Sequence, residues 1–120
     1  MTKEQQWNEI QFLSWDKFKS MAPSIVQLEI TRITKLMRTG KLDLEDHNAL
    51  VRVRFALKQF ANCLEDAQKD TMQEACGPFV TQALMSMPEP ASIEDADMAE
   101  TLTYVVDRIK DLHQRIPLVY

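Results

Sequence analysis

Apolar residues recur along this chain at spacings of three and four, the period of one face of an α-helix rather than the alternation of a strand. Leu50, Val53, Leu57, Phe60, Leu64 and Ala67 follow this spacing. So do Met98, Leu102, Val105, Ile109, Leu112 and Ile116. Shorter stripes are Val26, Ile30, Ile33 and Met37, and Trp7, Ile10, Phe18 and Met21 with Leu13 at the margin. Phe12 and Trp15 fall off that last stripe, so they either widen a buried face or meet a partner.

Punctuation residues turn the stripes into five predicted helices. The first spans Lys3 to Ser20, opened by a Thr2-x-x-Gln5 capping box and closed by Pro23. The second spans Ile25 to Thr39, with Ser24 and Gln27 as a second capping box and Gly40 as the residue beyond its end. The third starts at Leu44 after an Asp43 cap and continues to Cys76, where Gly77-Pro78 reads as a stop. A break near Asn62 is the alternative. A short fourth helix covers Phe79 to Met87, followed by the stiff connector Pro88 to Ser92. The fifth runs from Ile93 to Arg115 under a Ser92 cap, and Pro117 stops it. Leu118-Val119-Tyr120 is an apolar tail, either tucked against the bundle or offered to a partner. The expected fold is all-α: one domain over residues 1–120, a bundle of four main helices plus one short helix. The third and fifth helices are expected to pack on each other and supply most of the core.

Composition strengthens this reading. Only two glycines occur among 120 residues, too few for many hairpin turns or phosphate loops. Apolar residues make up 45% and charged residues 27%, ordinary for a folded domain. The first residues lack the basic and apolar regions of a secretory signal, and no apolar run approaches membrane-spanning length. Cys63 and Cys76 on one helix would stand roughly 20 Å apart, beyond disulfide reach, which suits a reducing, cytoplasmic setting.

Charge is uneven. Between Arg32 and Lys58 seven basic residues face three acids, a net of +4, while the whole chain carries −4. Arg32, Lys35, Arg38, Arg52 and Arg54 therefore become candidate partner-binding residues, with Phe12 and Trp15 as apolar candidates. Three readings compete: basic and acidic helices that merely face each other, a basic patch that meets an acidic protein or another copy, and a nucleic-acid surface. Residues 25–58 loosely suggest helix-turn-helix, but nucleic-acid domains are usually markedly basic and this chain is acidic. The heptad-like stripes leave a homodimeric coiled coil as an alternative to packing within one chain.

Catalytic patterns are weak. His47 and His113 lack the Glu three residues earlier that a bundle di-metal site uses, and Asp43 with His47 is too small a ligand set. Cys76-Gly77-Pro78 lacks the second cysteine of a redox motif. Ser14-x-x-Lys17 lacks its companion elements and a sheet to carry them. No cofactor, metal or membrane is expected. The sequence favours a non-enzymatic interaction module, such as an adaptor, chaperone-like binder, inhibitor or regulatory subunit, over a helix-turn-helix-like nucleic-acid regulator.

Overall fold

The long apolar stripes do form helices, and the helices form an all-α bundle without strands. The computed structural model describes residues Met1–Tyr120. Helix α1 covers Lys3–Glu9, α2 Trp15–Arg38, α3 Leu44–Asp66, α4 Lys69–Ser86 and α5 Ala96–Arg115. Single 3-10 turns occupy Pro90–Ser92 and Ile116–Leu118. The molecule therefore has four long helices and one short one, but the short helix is the first rather than the fourth.

Each changed boundary has a local cause. The helix expected over Lys3 to Ser20 ends at Glu9, and Ile10 is extended at φ −99° and ψ 119°. The segment after it pairs with the C-terminal tail. The Tyr120 amide donates to the Leu13 carbonyl at 3.0 Å, and the Trp15 amide donates to the Tyr120 carbonyl at 2.6 Å. Ser14 then caps α2, its hydroxyl accepting from the Lys17 amide at 3.4 Å. Helix α2 runs straight through Pro23. A mid-helix proline forfeits one backbone bond, here the one that would reach the Lys19 carbonyl. Buried Met21, Ala22, Ile25 and Val26 on either side hold that turn in place.

Nor does Gly77-Pro78 stop a helix; both residues lie inside α4. The chain reverses earlier, at Ala67 and Gln68, which are extended at ψ 152° and 157°. The third predicted helix is thus two antiparallel helices, and the fourth is the second half of α4. This corrects the cysteine geometry as well: Cys63 and Cys76 face each other across the α3–α4 seam, with sulfurs 2.8 Å apart. Their supposed separation lends no support to a reducing compartment. Helix α5 starts at Ala96, because Asp95 rather than Ser92 caps it, accepting from the Met98 amide at 3.1 Å.

Other signals act as expected. Thr2 and Gln5 form the reciprocal capping box. Asp43 caps α3, accepting from the Asp46 amide at 2.8 Å. Gly40 takes φ +69°, a conformation open to glycine without a steric penalty.

Neighbouring helices alternate in direction. Around the bundle α2 packs on α3, α3 on α4, α4 on α5 and α5 on α2. Helices α3 and α5 therefore stand on a diagonal instead of packing on each other as expected. Helix α2 contributes Phe18, Met21, Ile25, Val26, Ile30, Ile33 and Leu36 to the core, at least as much as α5 does. Trp7 is fully buried and brings the short α1 onto the bundle. No helix is long and apolar enough to cross a membrane.

Candidate partner-docking face

Helix α3 has two apolar stripes. Leu50, Val53, Leu57, Phe60 and Leu64 face the core and are completely buried. Leu44, Val51 and Phe55 lie on the opposite side, separated by seven and four residues, which stacks them on one face. They are 76%, 39% and 61% exposed. Water-facing valine and phenylalanine in mid-helix serve no purpose in the core, so their place on this face calls for another explanation.

Charged neighbours surround the stripe. Arg52 and Lys58 are exposed, and Arg54 is half-buried, one guanidinium nitrogen donating to the Thr34 hydroxyl of α2 at 3.3 Å. No acid occurs between His47 and Leu64, so this part of α3 combines three cations, two exposed apolar side chains and no anion. The Arg54–Thr34 bond brings α3 beside the stretch of α2 that carries Lys35 and Arg38, both exposed.

The other candidate residues lie elsewhere. Arg32 is committed inside the protein. It donates to the buried Glu29 at 2.6 Å and to Glu4 at 3.2 Å, and its guanidinium sits 4.8 Å from the Tyr104 ring centroid. Tyr104 in turn donates to Glu4 at 2.9 Å. That bond, with help from Arg32 and against the effect of burial, holds the Glu4 carboxyl below its usual range. Burial pushes the Glu29 carboxyl up, although the charge of Arg32 opposes it. One Glu29 oxygen and two Arg108 nitrogens are buried there without partners. Trp15 is half-buried against Phe18, with ring centroids 6.5 Å apart. Phe12 is 54% exposed, at the junction where the tail pairs with residues 13–15. The seven candidates are therefore not one cluster. Arg52 and Arg54 lie on α3, Lys35 and Arg38 on the stretch of α2 that Arg54 reaches through Thr34, Arg32 belongs to a polar network under α1, and Phe12 and Trp15 flank the tail.

Leu44, Val51 and Lys58 were not among the candidates, and Phe55 stood out only as an off-stripe aromatic suited to self-association. The signal for them was a second stripe on α3, out of phase with the core stripe and interleaved with cations. The tail itself is docked through its backbone. Val119 packs against the core, whereas Leu118 and Tyr120 keep exposed side chains.

The largest cleft, about 780 Å³, runs between α4 and the end of α5. His113 is its single titratable lining group, with Nε2 3.2 Å from the Thr81 hydroxyl. No three His, Cys, Asp or Glu side chains gather in metal-ligating geometry. No protein-family model, curated protein or solved structure matches this chain.

Proposed function

We propose that this protein is a non-enzymatic interaction module whose α3 face binds an acidic, amphipathic segment of another protein. One observation carries the reading: Val51 and Phe55 stand exposed in mid-helix among Arg52, Arg54 and Lys58, with no acid on that stretch. Apolar area supplies affinity in such an arrangement, while cations supply orientation and speed of encounter. Lys35 and Arg38 extend the positive field onto α2. Covering the exposed parts of Val51 and Phe55 is worth roughly 2–3 kcal/mol at about 25 cal/mol per Å² of apolar surface. Removing both side chains should therefore weaken binding by roughly 30- to 150-fold.

The test uses a synthetic amphipathic helical peptide with a leucine face flanked by glutamates, and a twin in which lysines replace the glutamates. Fluorescence anisotropy should show binding of the glutamate peptide that weakens with salt, and little binding of the lysine peptide. V51S/F55S and R52E/K58E should each abolish the preference without loss of helicity. Equal binding of the two peptides overturns the proposal, as does binding that survives both variants. Light scattering distinguishes the competing occupant: a salt-sensitive dimer broken by R52E/K58E would assign the face to a second copy. Preferential binding of an oligonucleotide with steep salt dependence would assign it to nucleic acid.

A further inference from the structure

The α3–α4 seam holds the only two cysteines of the chain, one from each helix. Cys76 is fully buried, whereas Cys63 is half-buried and reaches the surface. Their sulfurs are 2.8 Å apart, and the Cys63 sulfur also lies 3.5 Å from the Ala75 carbonyl. A disulfide bond is about 2.05 Å long, so the sulfurs need approach each other by only about 0.8 Å, within reach of side-chain rotation. The helices are joined by just Ala67 and Gln68, so both thiols belong to one tight hairpin.

We propose that Cys63 and Cys76 form a reversible dithiol–disulfide site that is oxidised by hydroperoxides and by small-molecule disulfides. Its two sulfurs have different roles. Burial, with the contact to Cys63, pushes the Cys76 thiol up to about 12, so in the reduced site Cys76 rests protonated and shielded and gives up its proton only as its sulfur attacks. Cys63 is the sulfur that an oxidant can reach. With hydrogen peroxide, the Cys63 thiolate attacks one oxygen, becomes a sulfenic acid and releases hydroxide. The Cys76 sulfur then attacks the Cys63 sulfur, forming the S–S bond and expelling hydroxide as its own proton leaves. In total two thiols and one peroxide give one disulfide and two waters, with two electrons passing from sulfur to oxygen. With glutathione disulfide, Cys63 forms a mixed disulfide and releases one glutathione. Cys76 then displaces the second, and two electrons pass to the glutathione pair. The bond closes a loop that contains the Ala67–Gln68 reversal and ties α3 to α4 a second time. This proposal is independent of the docking face.

The experiment starts from the reduced full-length chain, treated with one equivalent of hydrogen peroxide or equilibrated in glutathione buffers. The product should be a monomer lighter by two hydrogens, with no alkylatable thiol and a proteolytic peptide linking residues 63 and 76. Its Tm should rise by roughly 5–15 °C and fall back on reduction. Against glutathione, the native disulfide should be favoured at least about tenfold over the same disulfide in urea. C63S should show no intramolecular product and no rise in Tm. This variant alters the more exposed sulfur, so folding is kept. The proposal is overturned if oxidation gives only linked dimers, or a sulfinic acid on Cys63 with Cys76 still alkylatable after unfolding. A native disulfide no more stable than the unfolded one also overturns it.

Discussion

Trp7 should decide whether α1 is folded at all. A helix of seven residues is too short to persist alone in water, so α1 depends on docking. Trp7 is completely buried, its ring centroid 6.0 Å from that of Phe18. The Arg115 guanidinium sits 4.5 Å from the Trp7 ring centroid, and the indole N–H donates to Asp111 at 2.9 Å. Trp7→Phe keeps a ring for both neighbours but removes the N–H. Asp111 still accepts from Arg115 Nε at 2.9 Å, so no acceptor is orphaned, and the cost should be about 1–2 kcal/mol. Trp7→Ala removes the ring as well and should cost about 3–5 kcal/mol. That is a large share of the roughly 5–15 kcal/mol that stabilises a typical domain. The loss should be partly local: α1 undocks while the four long helices remain. Urea unfolding should show a lower midpoint and a smaller m-value for Trp7→Ala, because less surface is left to expose. Hydrogen exchange should lose protection at the amides of Gln6 and Ile10, which bond to the Thr2 and Gln6 carbonyls. The reasoning is refuted if Trp7→Ala stays within about 1 kcal/mol of the parent. It is equally refuted if those two amides keep their protection in the variant.

Further outcomes follow from substitutions at four positions. Gly77→Ala should stabilise by roughly 0.5–1 kcal/mol in urea melts, because Gly77 is helical and an added Cβ meets no atom within 4 Å. A loss of stability there would show that this turn of α4 does not admit a methyl group. Gly40→Ala should destabilise by roughly 1–2 kcal/mol, since φ is +69° and only the backbone conformation is at stake. An unchanged melt would mean that the turn relaxes. Glu29 and Glu4 should act oppositely in pH-dependent melts. Glu29 is raised above 4.5, so its ionisation opposes folding, and relief grows as pH falls towards 4.5. Glu4 is lowered from 4.5, so its stabilisation is present above that value and is lost as pH falls through the depressed range. Glu29→Gln should flatten the first limb and Glu4→Gln the second; identical profiles for both variants would contradict the assignment.

The all-α class and the buried stripes were legible because they depend on spacing alone. Met98, Leu102, Val105, Ile109 and Leu112 of α5, and Ile116 in the turn just after it, are all buried, as their spacing predicts. Boundaries were less legible where tertiary contacts overrule local punctuation. Pro23 and Pro78 are strong local stop signals, yet each lies inside a helix flanked by buried side chains. The reversal at Ala67–Gln68 has no glycine, proline or capping side chain to announce it. Its trace in the sequence was a phase jump. The stripe through Leu57, Phe60, Leu64 and Ala67 would continue at polar Thr71, but burial resumes at Met72 and Cys76. Likewise, Phe12 and Trp15 fell off the first stripe because no single helix carries them both. Of the candidate docking residues, the cations on α2 and α3 could be found from charge density. Arg32 could not be separated from them, since its partner Glu4 is remote in sequence and its ring contact Tyr104 more remote still.

The attachment of α1 also sets an order of events during synthesis. Everything that holds residues 4–13 to the C-terminal part of the chain lies about a hundred positions downstream. Glu4 is bonded by Tyr104, Asn8 by Arg108, Trp7 by Asp111, the Ile10 carbonyl by Arg115 and the Leu13 carbonyl by Tyr120. A ribosome adding roughly 5–20 residues per second takes on the order of 5–20 s to cover that distance. During this interval the α3–α4 hairpin can close over its two-residue link, while α1 can dock only on α2, through the Trp7–Phe18 and Glu4–Arg32 contacts. The first helix to be made is therefore the last to be fully held, and a nascent chain stalled before Tyr104 should leave Trp7 covered on its α2 side alone and open to chaperones and proteases.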